Sequence, residues 1–127
     1  MKGRKKVIVV EDNFATRTML ETTLELEGYD VLALADGSMV PGALANVEPA
    51  LLILDVMMPG VDGFSVLKMI RESASTHELP VLMLTALDDA DSTWKGWTGG
   101  CDYYMNKPFD TEDLLSVVHN LTSGVAA

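Results

Sequence analysis

Leu51-Leu52-Ile53-Leu54-Asp55-Val56-Met57-Met58-Pro59-Gly60 is the stretch that decides the fold. Four large apolar residues in a row cannot alternate between core and water. They read as a strand buried on both faces, as in the middle of a parallel sheet. The run leads straight into a carboxylate, Asp55, and then into a Pro-Gly turn. Open α/β sheets bind ligands in the crevice outside the carboxyl ends of their strands. Asp55 is therefore either a functional acid at that crevice or merely the first residue of a loop, and the run alone does not choose.

Working outward, Val7-Ile8-Val9-Val10 is a second buried run that also ends on acids, Glu11 and Asp12. Thr16, Met19, Leu20, Thr23 and Leu24 then follow helical spacing, and Gly28 supplies the stop. Residues 29–34 read as a weaker strand at the sheet edge. Gly37-Ser38 opens a short helix carrying Val40, Ala43, Leu44 and Val47, with Ser38 expected as its cap so that Pro41 falls in the first turn. After the central strand, Asp62 caps a helix with Val66, Leu67 and Ile70 facing inward. Residues 80–84 form another buried strand, ending at Thr85. A polar stretch, Asp88 to Ser92, leads into a helix near residues 94–98 that Gly96 and Gly99 weaken. Residues 102–106 are the last strand, ending at Lys107-Pro108. The closing helix has Asp110 as cap and Leu114, Leu115, Val118 and Leu121 as its stripe. Five strands alternating with five helices predict an α/β fold with a parallel sheet.

The 127 residues fit one domain, 1–127, with a core from about 5 to 121. A net charge of −10 argues against nucleic acid or anionic membrane as a direct partner, because phosphate contacts need Lys and Arg. The small basic run Lys2, Arg4, Lys5 and Lys6 is expected to be a solvated end rather than a binding arm. Lone Cys101 excludes an intrachain disulfide and hints at a reducing compartment. No apolar run approaches the ~18 residues of a membrane span, so a cytoplasmic location is expected. The small residues 123–127 read as a natural end or as the approach to a linker.

The polar residues at the strand ends carry the chemistry. Glu11 and Asp12 follow the first strand, Asp55 ends the third, Thr85 the fourth and Lys107 the fifth. Parallel strands with right-handed crossovers place all these ends on one edge. If the first and third strands are neighbours, Glu11, Asp12 and Asp55 share a pocket. Each close carboxylate pair there would cost up to ~4 kcal/mol at about 4 Å and an effective dielectric of about 20. Either their pKa values rise or a hard cation sits among them. Oxygen-only ligands suit Mg²⁺ better than Zn²⁺, and Mg²⁺ beside a lysine is a phosphate-handling arrangement.

Glu11-Asp12, Asp55 with Met58-Pro59-Gly60 and Asp62-Gly63, Thr85-Ala86, and Gly100…Asp102-Tyr103-Tyr104…Lys107-Pro108-Phe109 together resemble the receiver domain of two-component response regulators. Each piece is weak; their joint order and spacing is specific. The resemblance implies a doubly wound, flavodoxin-like five-stranded sheet of order 2-1-3-4-5 with helices on both faces. It implies that Asp55 takes a phosphoryl group from a phosphohistidine on a sensor histidine kinase or a histidine phosphotransfer protein. It further implies that Asp12, Asp55 and the Met57 backbone carbonyl bind Mg²⁺ (Mn²⁺ as substitute), with Glu11 reaching it through a water. Lys107 would pair with Asp55 and then with a phosphoryl oxygen, and Thr85 would hydrogen-bond another. The peptide before Pro108 matches the family's cis bond. Thr85 and Tyr104 match the switch pair, which alters the face of the fourth helix, last strand and last helix toward an output domain or effector. A phosphorylation-dependent homodimer is compatible with that pattern. The resemblance implies no enzyme beyond the chain's own phosphorylation and dephosphorylation.

Several positions depart from the family's usual pattern. Gly99-Gly100-Cys101 replaces the usual Ala-Gly-Ala, and Trp97 replaces a small or aliphatic residue. Trp97 is expected to fill core space with Trp94 partly covering it; the alternative is an aromatic anchor on the signalling face. Cys101 is expected as a packed thiol, His119 as a surface imidazole, Tyr103 as a packing or surface residue and most methionines as core filler. Two other function classes fit these residues less well. A Mg²⁺-dependent phosphohydrolase of the haloacid dehalogenase type needs an acid two residues after the nucleophile, where this chain has Met57. A pseudo-receiver acting only as a binding module should lack a pocket residue, and none is missing.

Overall fold

The structure is a computed structural model that describes residues 4–87 and 89–123. Lys2, Asp88 and residues 124–127 lie outside it. Strands β1 (Lys6–Val10), β2 (Asp30–Leu34), β3 (Leu51–Leu54), β4 (Val81–Thr85) and β5 (Tyr103–Asn106) alternate with helices α1 (Phe14–Leu26), α2 (Val40–Asn46), α3 (Gly63–Glu72), α4 (Ala90–Gly99) and α5 (Thr111–Thr122). The sheet is parallel throughout, in the order β2-β1-β3-β4-β5. The expected fold class and strand order are the ones observed.

The sheet's two faces explain the apolar runs. Ile8, Val10, Leu52, Leu54 and Met83 point to the side covered by Val40 of α2 and by Val66, Leu67 and Ile70 of α3. Val7, Val9, Leu51, Ile53, Leu82 and Leu84 point to the side covered by Leu20 and Leu24 of α1 and by Leu114 and Val118 of α5. Successive strand residues face opposite ways, so only a strand covered on both sides is apolar at every position. Burying each such side chain stabilises the fold by roughly 1.5–3 kcal/mol.

Caps fix where the helices begin. Asn13, Asp62, Asp89 and Asp110 each accept a backbone N–H of the first turn of α1, α3, α4 and α5. Before α2 the expectation fails: Asp36, not Ser38, is the cap. Its carboxylate accepts the Ser38 N–H at 2.8 Å and starts a single 3-10 turn, Gly37–Met39. Pro41 still falls in the first turn of α2, where its missing N–H is harmless. The stripe of α1 is also narrower than its spacing suggests: Leu20 and Leu24 are buried, while Met19 is exposed.

Arg71 ties three segments together. Its guanidinium donates to the carbonyls of Gly100 (2.8 Å) and Leu79 (2.7 Å) and pairs with Asp102 at 3.0 Å. Asp102 in turn accepts the Val81 N–H at 2.8 Å. Nearby Cys101 is buried, as expected, and burial pushes its thiol up to about 11 from a model-compound value of 9.0. A thiol raised in the folded state makes the unfolded chain shed its proton first. Stability is then lost as pH climbs from 9.0 toward about 11, by up to about 3 kcal/mol. Urea midpoints across that window should fall less steeply for Cys101→Ala than for the natural chain; parallel slopes would exclude the thiol as the cause.

Candidate functional site

Hydrogen bonding continues past the strand ends and places the polar residues side by side. Glu11 N–H donates to the Leu34 carbonyl at 3.0 Å, Asp55 N–H to the Val10 carbonyl at 3.1 Å, and Lys107 N–H to the Thr85 carbonyl at 2.9 Å. Register does the rest: Leu54 lies opposite Val10, so the next residues, Asp55 and Glu11, fall at the same level of the sheet edge. One ligand oxygen from each of Glu11, Asp12 and Asp55 lies within 4.8 Å of the others. Glu11 and Asp55 are buried, at 2% and 5% exposure, whereas Asp12 opens to solvent.

Lys107 reaches into this group. Its ammonium lies 2.5 Å from Glu11 Oε1 and 3.2 Å from Asp55 Oδ2. The resemblance pairs it with Asp55; the structure gives it both carboxylates, with Glu11 the nearer. The cis Lys107–Pro108 peptide lies at this turn. Burial raises the Glu11 pKa, with a smaller push from the Asp55 charge, against the lowering effects of Lys107 and the Asn13 N–H. Burial alone would lower the Lys107 pKa. The hydrogen bond to Glu11 and the charges of Asp55 and Glu11 outweigh it, so the net shift is upward. The pocket thus holds more negative charge than one lysine neutralises, and its three oxygen donors fit a hard divalent cation.

The residues supporting this group went unread in the sequence. Asn13 both caps α1 and donates its N–H to Glu11 Oε2 at 3.1 Å. Arg17 of α1 donates to the carbonyls of Glu11 (2.9 Å) and Asp12 (3.3 Å), fixing the turn that carries both acids. An Asn before a helical stripe is a readable cap signal; its second role toward Glu11 needed coordinates.

Comparison with known proteins decides the family. Residues 7–119 match the response regulator receiver domain. The chain belongs to that family. The receiver is 37% identical over 116 residues to the DNA-binding dual master transcriptional regulator RpaA of a Synechocystis strain. It is equally identical over 119 residues to the probable transcriptional regulator ycf27 of Cyanophora paradoxa. These alignments cover 91% and 94% of this chain, but it spans about half the length of these relatives, 48% in each case. Among solved structures, a putative response regulator from Chloroflexus aurantiacus superposes with a TM-score of 0.90 at 33% identity, covering 95% of this chain and 99% of that one. The chemotaxis protein CheY4 of Vibrio cholerae gives 0.88 at 30%, covering 94% and 99%.

On the receiver's α4 side, Thr85 is fully buried and its hydroxyl oxygen accepts the Leu87 N–H at 3.3 Å. Leu87 returns its carbonyl to the Tyr104 hydroxyl at 2.7 Å and to the Asn106 amide at 2.9 Å. One residue therefore links Thr85 to Tyr104. The Tyr104 ring is buried beneath Gly96, where an added Cβ would come within 2.6 Å of it. This corrects the expectation for the tryptophans. The inner face of α4 is glycine, so Trp97 and Trp94 stand outside the core, 45% and 70% exposed. Trp97 meets exposed Tyr103 edge-on, with centroids 6.1 Å apart. Met19, Met39 and Met57 are likewise exposed, so core filling describes only some methionines, Met58 and Met83 among them. His119 lies at the surface, as expected.

Proposed function

We propose that Asp55 is the phosphoacceptor of this receiver and that Glu11, Asp12, Thr85 and Lys107 serve the transfer. The observation that carries this reading is the convergence of three acidic side chains within 4.8 Å, with Lys107 3.2 Å from Asp55. An Asp55 oxygen forms the bond to phosphorus as the donor's phosphorus–nitrogen bond breaks, and the electron pair leaves on the imidazole nitrogen. Asp12 and Asp55, with the Met57 carbonyl, would hold Mg²⁺ (or Mn²⁺), and Glu11 would hold it through a water. The ion supplies charge neutralisation for the transferring group. Lys107 shifts from its two carboxylates toward a phosphoryl oxygen, and Thr85 donates to another.

That motion would break the Thr85–Leu87 hydrogen bond and loosen the Leu87 hold on Tyr104. Phosphorylation would thereby bias the α4-β5-α5 face, a population shift driven by a local charge change. The upstream partner is a sensor histidine kinase or histidine phosphotransfer protein. The downstream partner is an output domain or effector, as the relatives' names as transcriptional regulators suggest. Residues from about 5 to 121 act as one unit, modify only themselves, and do so in the cytoplasm. No helix among the described residues is long and apolar enough to cross a membrane, which agrees with that setting. Incubating the chain with acetyl phosphate and Mg²⁺ should add one phosphoryl group to the intact mass. Chelator or Asp55→Asn should abolish the gain; an equal gain in Asp55→Asn would exclude this acceptor.

Two apolar residues flank the route to the phosphoryl group, Met57 and Leu87, two positions after Asp55 and Thr85. Neither side chain offers a hydrogen bond to an attacking water. Met57→Asn should therefore shorten the phosphoaspartate half-life, followed as decay of the phosphorylated mass after removal of the donor. A longer half-life in the variant would contradict this.

A further inference from the structure

We propose that the groove between α3 and α4 is a binding site for a small organic anion with an apolar body. It encloses about 380 Å³ and is lined by Phe64, Leu67, Lys68, Arg71 and Glu72 of α3 and by Lys95, Thr98 and Gly99 of α4. That volume lies in the range of small-ligand sites, roughly 300–1,000 Å³. Its floor is open because residue 99 has no side chain: a Cβ there would come 3.0 Å from Leu67 Cδ2.

Charge selects the occupant. The chain carries nine Lys and Arg residues against nineteen acids, and three of the nine line this one groove. Of the cations elsewhere, four have partners within the protein: Lys6 pairs with Asp30, Lys107 with Glu11 and Asp55, Lys5 with the Thr122 carbonyl, and Arg17 with two carbonyls, whereas among the described residues exposed Arg4, far along the chain from this groove, has none. Arg71 is also engaged, on Asp102 and two carbonyls. Lys68 and Lys95 differ. Among the described residues neither has a hydrogen bond or ion pair, and the Lys95 ammonium rests 5.5 Å from the Phe64 ring centroid. Glu72 is the single acid lining the groove, against the Lys68 and Lys95 ammonium groups, of which Lys95 already lies over the Phe64 ring. An anion seated between Lys68 and Lys95, with its apolar part on half-buried Phe64, would satisfy both. It would also brace α4, the helix whose Gly96 covers Tyr104, against α3. The inference is independent of phosphoryl chemistry at Asp55.

The test uses 1-anilinonaphthalene-8-sulfonate as the probe and the natural chain labelled for amide NMR. Saturable shifts should concentrate at amides of Phe64–Glu72 and Lys95–Gly100. Lys68→Glu with Lys95→Glu should weaken binding by about tenfold, since both charges are at the rim and solvent-screened. Uncharged N-phenyl-1-naphthylamine should bind more weakly than the sulfonate. Gly99→Met, which fills the floor and keeps every charge, should also block it, and the variants' spectra report that they are folded. Shifts centred on Trp94, Trp97 and Tyr103, indifference to charge reversal, or tighter seating of an acidic peptide in the same groove would each overturn the proposal.

Discussion

Lys107→Ala is expected to cost about 3 kcal/mol of stability in magnesium-free buffer, because it strands two buried carboxylates. Glu11 and Asp55 are 2% and 5% exposed, and Lys107, its side chain 21% exposed, contacts both. Removing the ammonium leaves neighbouring negative charges whose repulsion reaches ~4 kcal/mol for a pair about 4 Å apart at an effective dielectric of about 20. Added Mg²⁺ should therefore stabilise Lys107→Ala more than it stabilises the natural chain. Urea midpoints measured with chelator and with Mg²⁺ decide this, and an equal Mg²⁺ increment in both proteins would contradict it. The pH dependence has a fixed sign. The Lys107 pKa is raised in the folded state, so its contribution is whole below the ordinary lysine value of 10.5 and is lost as pH climbs through the folded value. In a Cys101→Ala background, Lys107→Ala should flatten that alkaline loss.

Gly63→Ala should be as damaging, through packing rather than charge. Gly63 opens α3 directly under the end of β3. A Cβ on it would lie 2.4 Å from the Asp55 carbonyl oxygen and 2.7 Å from Val56 Cα, both backbone atoms that cannot swing aside. Relief requires α3 to move from the sheet or the Asp55 turn to shift. Overpacking of this kind costs about 3 kcal/mol, and it should lower phosphoryl uptake by displacing the acceptor. Gly42→Ala is the contrast. It lies inside α2 with nothing within 4 Å of the new methyl, so alanine's helix preference should add roughly 0.5–1 kcal/mol. Equal urea midpoints for the two variants would show that the close approach at Gly63 has no energetic weight.

The sheet was legible because burial on both faces leaves an unmistakable mark: strands such as Leu51–Leu54 have no polar position at all. The candidate site was legible because residues at or just past the carboxyl ends of parallel strands land on one edge, whatever the loops do. Contacts set by three-dimensional distance were not. Nothing in the order of residues says that Lys107 lies nearer Glu11 than Asp55, or that Leu87 joins Thr85 to Tyr104. The tryptophans show a second limit. A spacing of three puts Trp94 and Trp97 on neighbouring parts of one helix but does not say which side faces inward. Gly96, read only as a weakness in the helix, was the clue, because α4 approaches the Tyr104 ring through the residue that lacks a side chain. Asp36 was missed for a simpler reason: the 3-10 turn it starts is too short to carry a period.

Trapping the acyl phosphate in place is the most direct test of the central claim. The chain would be phosphorylated with acetyl phosphate and Mg²⁺, reduced with borohydride, digested and read by tandem mass spectrometry. Reduction turns a phosphorylated aspartate into homoserine, and the prediction is homoserine at position 55 and at no other acid. Homoserine at Asp12 or elsewhere with Asp55 intact, or phosphorylation that survives borohydride, would contradict the account.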